Sequence, residues 1–427
     1  MKMGVVADDI TGANDIGIMF AKAGLLTHVY AYEKPGDFAL VGDPDVVILD
    51  TNSRLDLPPV AYDKVHAATR DLMAAGCRQF HNKTCSVFRG NIGVEFDAML
   101  DALDLEFAVV VLGFPKNGRR TVEGVHYVHG KRLEESEFRN DPIHPMTRSD
   151  LVGVLGAQTQ RAVGLIDYTV VARGAADLRA EIEHRRGQQN YVIVDVVDQG
   201  ALAVIARAVA DLPVLCGSSA LAEELPAAWG LMHRAPERLD LPRREKIGLL
   251  VAAGSLMPQT EVQVKHLRDR GVPTFVLDTG AIWDGDSRAN EIERVVAGAA
   301  ASLLSGDDAV VQTPSVPALV EATRLEGEAR GLSRQQTARH VSEALSEIVA
   351  RIINMTGQNR LVVAGGETSA AVCARLGMRG LRVWKEIQPG LPSCVSLTHD
   401  PLLLVLKSGS FGDATFLEQA LDHLRRE

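Results

Sequence analysis

The chain has 427 residues, enough for two or three domains with sizeable cores. Its 46% hydrophobic and 23% charged residues are those of an ordinary globular protein and exclude a disordered one. A formal net charge of −10, from 45 basic against 55 acidic residues, argues against a nucleic-acid or anionic-membrane surface, so cationic contacts to an anionic ligand must be local.

The chain begins with an apolar run, Val5-Val6-Ala7, followed by Asp8-Asp9, then Thr11-Gly12 and a periodic apolar segment through Ile16, Met19 and Phe20. This predicts strand, loop and helix, with Asp8 and Asp9 at the carboxyl end of the first strand, where open α/β sheets bind ligands. Thr11 is expected to cap the helix, whose free N–H groups favour an anion. Further strands are predicted at Thr27–Tyr30 and Val46–Leu49, the second leaving through Asp50-Thr51-Asn52-Ser53-Arg54. Arg54 is a natural partner for a carboxylate or phosphate, because its planar fork gives two parallel charge-assisted bonds. A helix is predicted from Val60 to Ala75, closed by Gly76.

The next strand exit is dense in donors: His81, Asn82, Lys83, Thr84, Ser86, Arg89 and Asn91. A small polyhydroxy acid needs such a set, since each hydroxyl and the carboxylate must be paired when taken out of water. Lys83 and Arg89 form a local cationic spot. Of the five cysteines, scattered as reduced thiols, only Cys85 lies among these polar residues; a nucleophilic role would need His81, in the same expected loop, as its base. After a strand at Val109–Leu112, a long irregular stretch runs to about Asp150, and a loop of that length is expected to serve as a lid or rim. It holds His126 and His129 at a metal-site spacing, without a carboxylate to complete the ligands. Strands at Tyr191–Val196 and Val214–Cys216 alternate with helices near Ala175–Arg186 and Ala201–Val209, and Gly217-Ser218-Ser219 is expected to cap a following helix.

The segment Met232 to Lys246 carries Pro236, Pro242 and many charges without periodicity, and is the expected linker between residues 1–231 and 247–427. Beyond it, strands are predicted at Ile247–Ala252, Thr274–Leu277, Ala309–Gln312, Leu361–Ala364 and Leu402–Lys407, with a long helix from Ser333 to Asn354. The exits Gly254-Ser255, Gly365-Gly366-Glu367-Thr368-Ser369 and Ser408-Gly409-Ser410-Phe411-Gly412 make a nucleotide crevice, although neither Gly-x-x-x-x-Gly-Lys-Ser/Thr nor Gly-x-Gly-x-x-Gly is present. The fold class is α/β, in two domains, each a mostly parallel sheet flanked by helices. No run of about 18 apolar residues and no leader pattern occurs, so no membrane partner and a cytoplasmic location are expected.

Taken together, Ala7-Asp8-Asp9-Ile10-Thr11-Gly12-Ala13-Asn14-Asp15, Lys83-Thr84-Cys85-Ser86-Val87-Phe88-Arg89-Gly90-Asn91, Gly365-Gly366-Glu367-Thr368-Ser369 and Lys407-Ser408-Gly409-Ser410-Phe411-Gly412 resemble the four-carbon acid sugar kinase family. The resemblance spans nearly the whole chain. It implies an N-terminal acid-sugar domain, a C-terminal ATP domain, an active site in the cleft between them, and phosphorylation of the terminal hydroxyl. It implies acid-sugar contacts from Asp9, Arg54, Asn82, Lys83, Thr84 and Cys85, to which the cationic Arg89 is added, and ATP contacts from Ser255, Gly365, Gly366, Glu367, Thr368 and Gly409. The commoner form of the Lys83 loop has Asp-Ser-Thr-Leu-Arg-Gly where Cys85-Ser86-Val87-Phe88-Arg89-Gly90 stands here. That difference alters the sugar pocket, and Asn14-Asp15, where 3-oxo-tetronate kinases more often have Thr-Asp, leans toward threonate or erythronate; the expected acid is D-threonate, with D-erythronate and 3-oxo-tetronates as alternatives. The likeness of residues 9–15 to the Asp-Thr-x-Gly-Ala-Gly-Asp run of ribokinase-like kinases is superficial, because theirs lies late in the chain.

Phosphoryl transfer needs a base to orient the hydroxyl and Mg²⁺ to bridge phosphates. Asp9 is the expected base with Asp8 as its substitute; Lys83 and Arg54 hold the carboxylate or the transferring phosphate, and Glu367 helps to place Mg²⁺. Closure across the linker follows from this division. A homodimer is compatible with the sequence. The rivals are a non-catalytic acid-sugar and nucleotide sensor and an NAD-dependent dehydrogenase, the latter disfavoured by the missing Gly-x-Gly-x-x-Gly.

Overall fold

The computed structural model describes residues 2–36, 38–141, 143–231, 241 and 246–427. The chain divides into two units, Met1–Pro236 and Glu237–Glu427. Apart from Leu241 and Lys246, the expected linker lies outside the described residues.

The first unit opens with β1 (Met3–Ala7), α1 (Ile10–Ala21), β2 (Thr27–Ala31), β3 (Val46–Asp50), α2 (Pro58–Ala74), β4 (Gln79–Lys83), α3 (Ile92–Leu103) and β5 (Ala108–Val111). It continues through β6 (Arg119–Val122), β7 (Val125–Val128), β8 (Lys131–Arg132), α4 (Leu151–Gly156), β9 (Val163–Ile166), α5 (Tyr168–Val171) and α6 (Ala175–Arg186). It ends with β10 (Tyr191–Val194), α7 (Gln199–Val209), β11 (Val214–Gly217) and α8 (Leu225–Ala228). Its main sheet runs β2-β3-β1-β4-β11-β5-β10-β9, with every pairing parallel. Strands of this kind are covered on both faces, which is why β1, β3 and β5 are continuous apolar runs and wholly buried. The chain leaves β1 to form β2 and β3 on one side and returns to place β4 on the other, so the order reverses at β1. Ligands bind at the carboxyl ends of strands at such a reversal.

The second unit holds β12 (Leu250–Ala253), α9 (Pro258–Asp269), β13 (Thr274–Val276), α10 (Gly285–Leu304), β14 (Ala309–Gln312), α11 (Pro317–Ala329) and α12 (Arg334–Thr356). Then come β15 (Arg360–Ala364), α13 (Gly366–Arg375), β16 (Gly380–Gln388), β17 (Leu391–Ser396), β18 (Leu403–Lys407) and α14 (Phe416–Arg426). Its strands lie in the order β13-β14-β12-β15-β18-β17-β16, parallel from β13 to β18 and antiparallel from there to β16. Here the order reverses at β12, between β14 and β15.

Four expectations are corrected. Thr11 lies inside the first turn of α1; the cap is Asp9, whose backbone is extended and whose side chain accepts from the Gly12 N–H. His81, Asn82 and Lys83 belong to β4 rather than to a loop, buried in a central strand. Residues 113–150 are not one irregular stretch, since β6, β7 and β8 form a small antiparallel sheet within them. Ser219 makes no helix cap; it precedes a short 3₁₀ turn and spends its hydroxyl on Asp15.

Candidate active site

At the carboxyl ends of β1, β3 and β4, two adjacent carboxylates share one guanidinium. Arg54 donates from Nε and Nη2 to the two oxygens of Asp8 at 2.8 and 2.7 Å, and from Nη1 to Oδ2 of Asp9 at 2.5 Å. Asp9 also accepts from the Gly12 N–H at 2.7 Å and the Thr11 hydroxyl at 2.9 Å. Burial alone would raise the Asp9 pKa; the charges of Arg54 and Lys83, with the Gly12 and Thr11 hydrogen bonds, outweigh it and hold the carboxyl below its ordinary value. Asp9 is therefore a permanently ionised acceptor at neutral pH.

Arg54 is fixed from behind. Asn91 donates to the carbonyls of Ser53 and Asp56 at 3.0 and 2.9 Å, and the His144 ring meets the Arg54 carbonyl at 3.1 Å. The two loops that meet here both contain residues at positive φ, Asn52 at 46° and Phe88 at 58°. Asn tolerates this region; a buried Phe does not do so readily, and such backbone strain gathers at functional sites.

Lys83 ends β4 with its ammonium 3.1 Å from the Thr84 carbonyl and 3.6 Å from Asp15 Oδ2. Asp15, one helical face along α1, accepts from the Ser219 hydroxyl at 2.6 Å, while its Oδ1 has no partner among the described residues. Burial, offset in part by Lys83 and Ser219, pushes its pKa up to about 6. Asp50, at the end of β3, is driven to about 8 by burial and the neighbouring Asp9 charge. The exits thus hold carboxyls whose pKa values have been pushed apart, a mark of functional sites.

The Cys85 loop supplies the third cation. Arg89 Nε lies 3.4 Å from Cys85 Sγ, and Nη1 bonds Asp141 at 2.6 Å. Burial would raise the Cys85 pKa, but Arg89 and Arg54 prevail and lower it. His81 is not its base: burial takes the ring down to about 3, and strand alternation places it on the Lys83 face within β4. Asn82 points to the opposite face and donates to the Glu95 carbonyl of α3 at 3.3 Å, so it is not brought to the group around Lys83. Thr84 is buried with its hydroxyl unpartnered among the described residues. His126, buried and close to Thr121 at 3.1 Å, also has its pKa lowered to about 3 by burial.

Sequence reasoning did not find Asp15, Asp141 or His144 as parts of this arrangement. Asp15 carried a signal, an acid on an otherwise buried helix. Asp141 and His144 carried none, since they reach the site only through the fold of residues 113–150.

Close approach explains Gly12. A Cβ there would lie 2.6 Å from Asp9 Oδ1 and 2.9 Å from Lys83 Nζ. Both atoms end movable side chains, so Gly12→Ala is expected to fold with a melting temperature within a few degrees of the parent. It should lose about 10- to 100-fold in kcat/KM as Lys83 and Asp9 are pushed apart. Unchanged kcat/KM would show that their spacing is unimportant.

In the second unit, the exits of β12, β15 and β18 lie side by side. The N–H groups of Gly254 and Ser255 both donate to the Ala364 carbonyl at 3.0 and 3.2 Å, and the Gly365 N–H donates to the Lys407 carbonyl at 2.9 Å. Gly365 caps α13 at φ 126°, and a Cβ there would meet the Ser255 N at 3.1 Å. Ser255, Gly365, Gly366, Glu367, Thr368 and Gly409 are thus brought to one edge, with the N-terminus of α13 among them. Gln263 holds the last exit through the carbonyls of Phe411, Gly412 and Asp413 at 3.1, 3.1 and 2.8 Å. Among the described residues no three His, Cys, Asp or Glu side chains form a metal-sized group, and no helix is long and apolar enough to cross a membrane.

Two family models match this chain, a sugar-binding N-terminal domain over residues 3–225 and a nucleotide-binding C-terminal domain over residues 250–417. A curated relative from Cupriavidus necator, a 3-oxo-tetronate kinase, is 34% identical over 99% of this chain and 97% of its own. Another 3-oxo-tetronate kinase, from Pseudomonas fluorescens, is 35% identical over 99% of this chain and 97% of its own. Among solved structures, a Salmonella typhimurium LT2 protein aligns with a TM-score of 0.81 at 30% identity, covering 99% of each chain. A Haemophilus influenzae protein aligns with a TM-score of 0.72 at 31% identity, covering 99% of this chain and 100% of its own.

Proposed function

Since the chain belongs to the four-carbon acid sugar kinase family, and so is a phosphotransferase acting on a hydroxyl group, we propose that it moves the γ-phosphoryl group of ATP to the terminal hydroxyl of a four-carbon acid sugar. The observation that carries this reading is Arg54. Three of its five N–H groups hold Asp8 and Asp9, leaving two for a ligand carboxylate, next to the Lys83 ammonium and on the unit matched as sugar-binding.

In this scheme Arg54 and Lys83 fix the acid's carboxylate, with Thr84, Cys85 and Arg89 lining the same loop. Asp9 orients the terminal hydroxyl and accepts its proton. The hydroxyl oxygen forms the new bond to phosphorus as the bond to the ADP oxygen breaks. A low-pKa carboxylate suits this, because phosphoryl transfer asks more for positioning than for strong basicity. The nucleotide's phosphates lie at the N-terminus of α13 and the Gly409 exit, with Ser255 and Thr368 beside them. Mg²⁺, when bound, neutralises phosphate charge. One acid in the first turn of α13, Glu367, fits an ion that takes most of its ligands from phosphates and water.

For the acid itself we favour a 3-oxo-tetronate, the substrate in the names of the relatives compared. D-threonate is the second reading. What favours it is the Cys85 thiol, set against Arg89 and under the influence of Arg54, where the commoner loop carries an acid. The test of the reaction is the position of the phosphate. Product analysed by phosphorus–proton correlation should be the C4 ester, and the 4-deoxy acid should inhibit without turnover; phosphate on any other oxygen would refute the assignment.

A further inference from the structure

One cation at the nucleotide exits has no countercharge among the described residues. Lys407 ends β18 fully buried. Its ammonium donates to the Thr260 hydroxyl at 2.8 Å and to the carbonyls of Ser408 and Gly409 at 3.0 and 3.2 Å, all neutral groups. Thr260 adds a bond of its own to the Gly409 carbonyl at 2.9 Å. No carboxylate among the described residues pairs with Lys407. Glu261, next to Thr260 on α9, is bonded to Ser315. A buried ammonium with only neutral partners is costly unless a charge arrives to balance it.

The direction of these bonds has a consequence for the loop. In a planar trans peptide the N–H points opposite to the preceding carbonyl. Drawing the Ser408 and Gly409 carbonyls inward onto Lys407 therefore turns the N–H groups of Gly409 and Ser410 outward. Neither N–H donates to any protein acceptor among the described residues, although both residues are buried. Successive outward N–H groups make an anion-binding concavity.

We propose that Lys407 is a positioning residue that shapes the Ser408–Ser410 turn into a cradle for the nucleotide's terminal phosphates, whose negative charge is the countercharge Lys407 lacks in the free protein. The inference rests on the reading of the second unit as the nucleotide site. It goes further by assigning a role to Lys407, Thr260 and the Ser410 N–H. Burial takes the Lys407 pKa down to about 7. At pH 8 the free protein therefore holds this amine mostly neutral, and phosphate beside it raises the pKa and draws a proton from solution.

The experiment is calorimetric titration of the full chain with ADP and with adenosine, at pH 6 and pH 8, in buffers of different ionisation enthalpy. ADP should take up about 0.8 proton per site at pH 8 and far less at pH 6, and adenosine should take up none. Lys407→Met should remove the uptake and weaken ADP by about 10- to 100-fold while leaving adenosine affinity within about twofold. ADP binding without proton uptake at pH 8 overturns the role of Lys407, as does unchanged ADP affinity in a folded Lys407→Met. Should that variant not fold, the parent's proton uptake still decides. Failure of both ADP and adenosine to bind would instead overturn the nucleotide reading, and the inference with it.

Discussion

Arg54→Met is expected to cost about 3–5 kcal/mol of stability at pH 8 and to abolish turnover, because it strands two buried carboxylates that now share one cation. The pH dependence gives the cause away. In the parent, Asp9 has a depressed pKa, so its contribution is present above the unfolded value and fades as pH falls. In the variant the folded-state pKa of Asp9, no longer held down by Arg54, rises, so protonation relieves the penalty on going down in pH. Urea unfolding should therefore show a smaller difference from the parent at pH 5 than at pH 8. Adding Asp8→Asn to Arg54→Met should return at least about 1 kcal/mol at pH 8 by removing one stranded charge. A loss below about 1 kcal/mol in the single variant, equal at both pH values, would mean that the three groups do not act as a unit.

Asp9→Asn isolates the chemistry. Asparagine keeps the oxygen that caps α1 through the Gly12 N–H, and it is among the best capping residues, so the helix start should survive. What goes is the charge proposed to orient the hydroxyl and take its proton. We expect kcat to fall by about 10²- to 10⁴-fold, with ADP affinity within about twofold of the parent. Loss of ADP binding would place Asp9 in the wrong site, and kcat within tenfold of the parent would pass its role to another group, Asp15 first, whose Oδ1 is unpartnered among the described residues.

The sequence disclosed most where burial follows chemistry. Strands β1, β3 and β15 read as apolar runs, and each is followed by the turn residues that a ligand crevice uses. It disclosed least where burial goes against chemistry. Gln79-Phe80-His81-Asn82-Lys83 has the composition of a loop, yet all five residues are buried in a central strand, because Asp15, Glu95 and the Leu212 carbonyl supply their partners from far along the chain. The antiparallel hairpin β16–β17 was hidden for a related reason, with Arg382, Lys385 and Glu386 breaking its apolar pattern and Pro392 inside its second strand. Lys407 looked like the polar end of an apolar strand. Only the neighbouring α9 and its own exit loop reveal it as a buried cation.

The central claim is the reaction, and one assay meets it directly: release of ADP from Mg-ATP by the full chain, followed in a coupled assay against 3-oxo-tetronates, D-threonate and D-erythronate. The account predicts substrate-dependent ADP formation with a four-carbon acid bearing a terminal hydroxyl, strongest with a 3-oxo acid and next with D-threonate. ADP binding without ADP formation on any of these acids would contradict it and leave a sensor of acid sugar and nucleotide in place of a kinase.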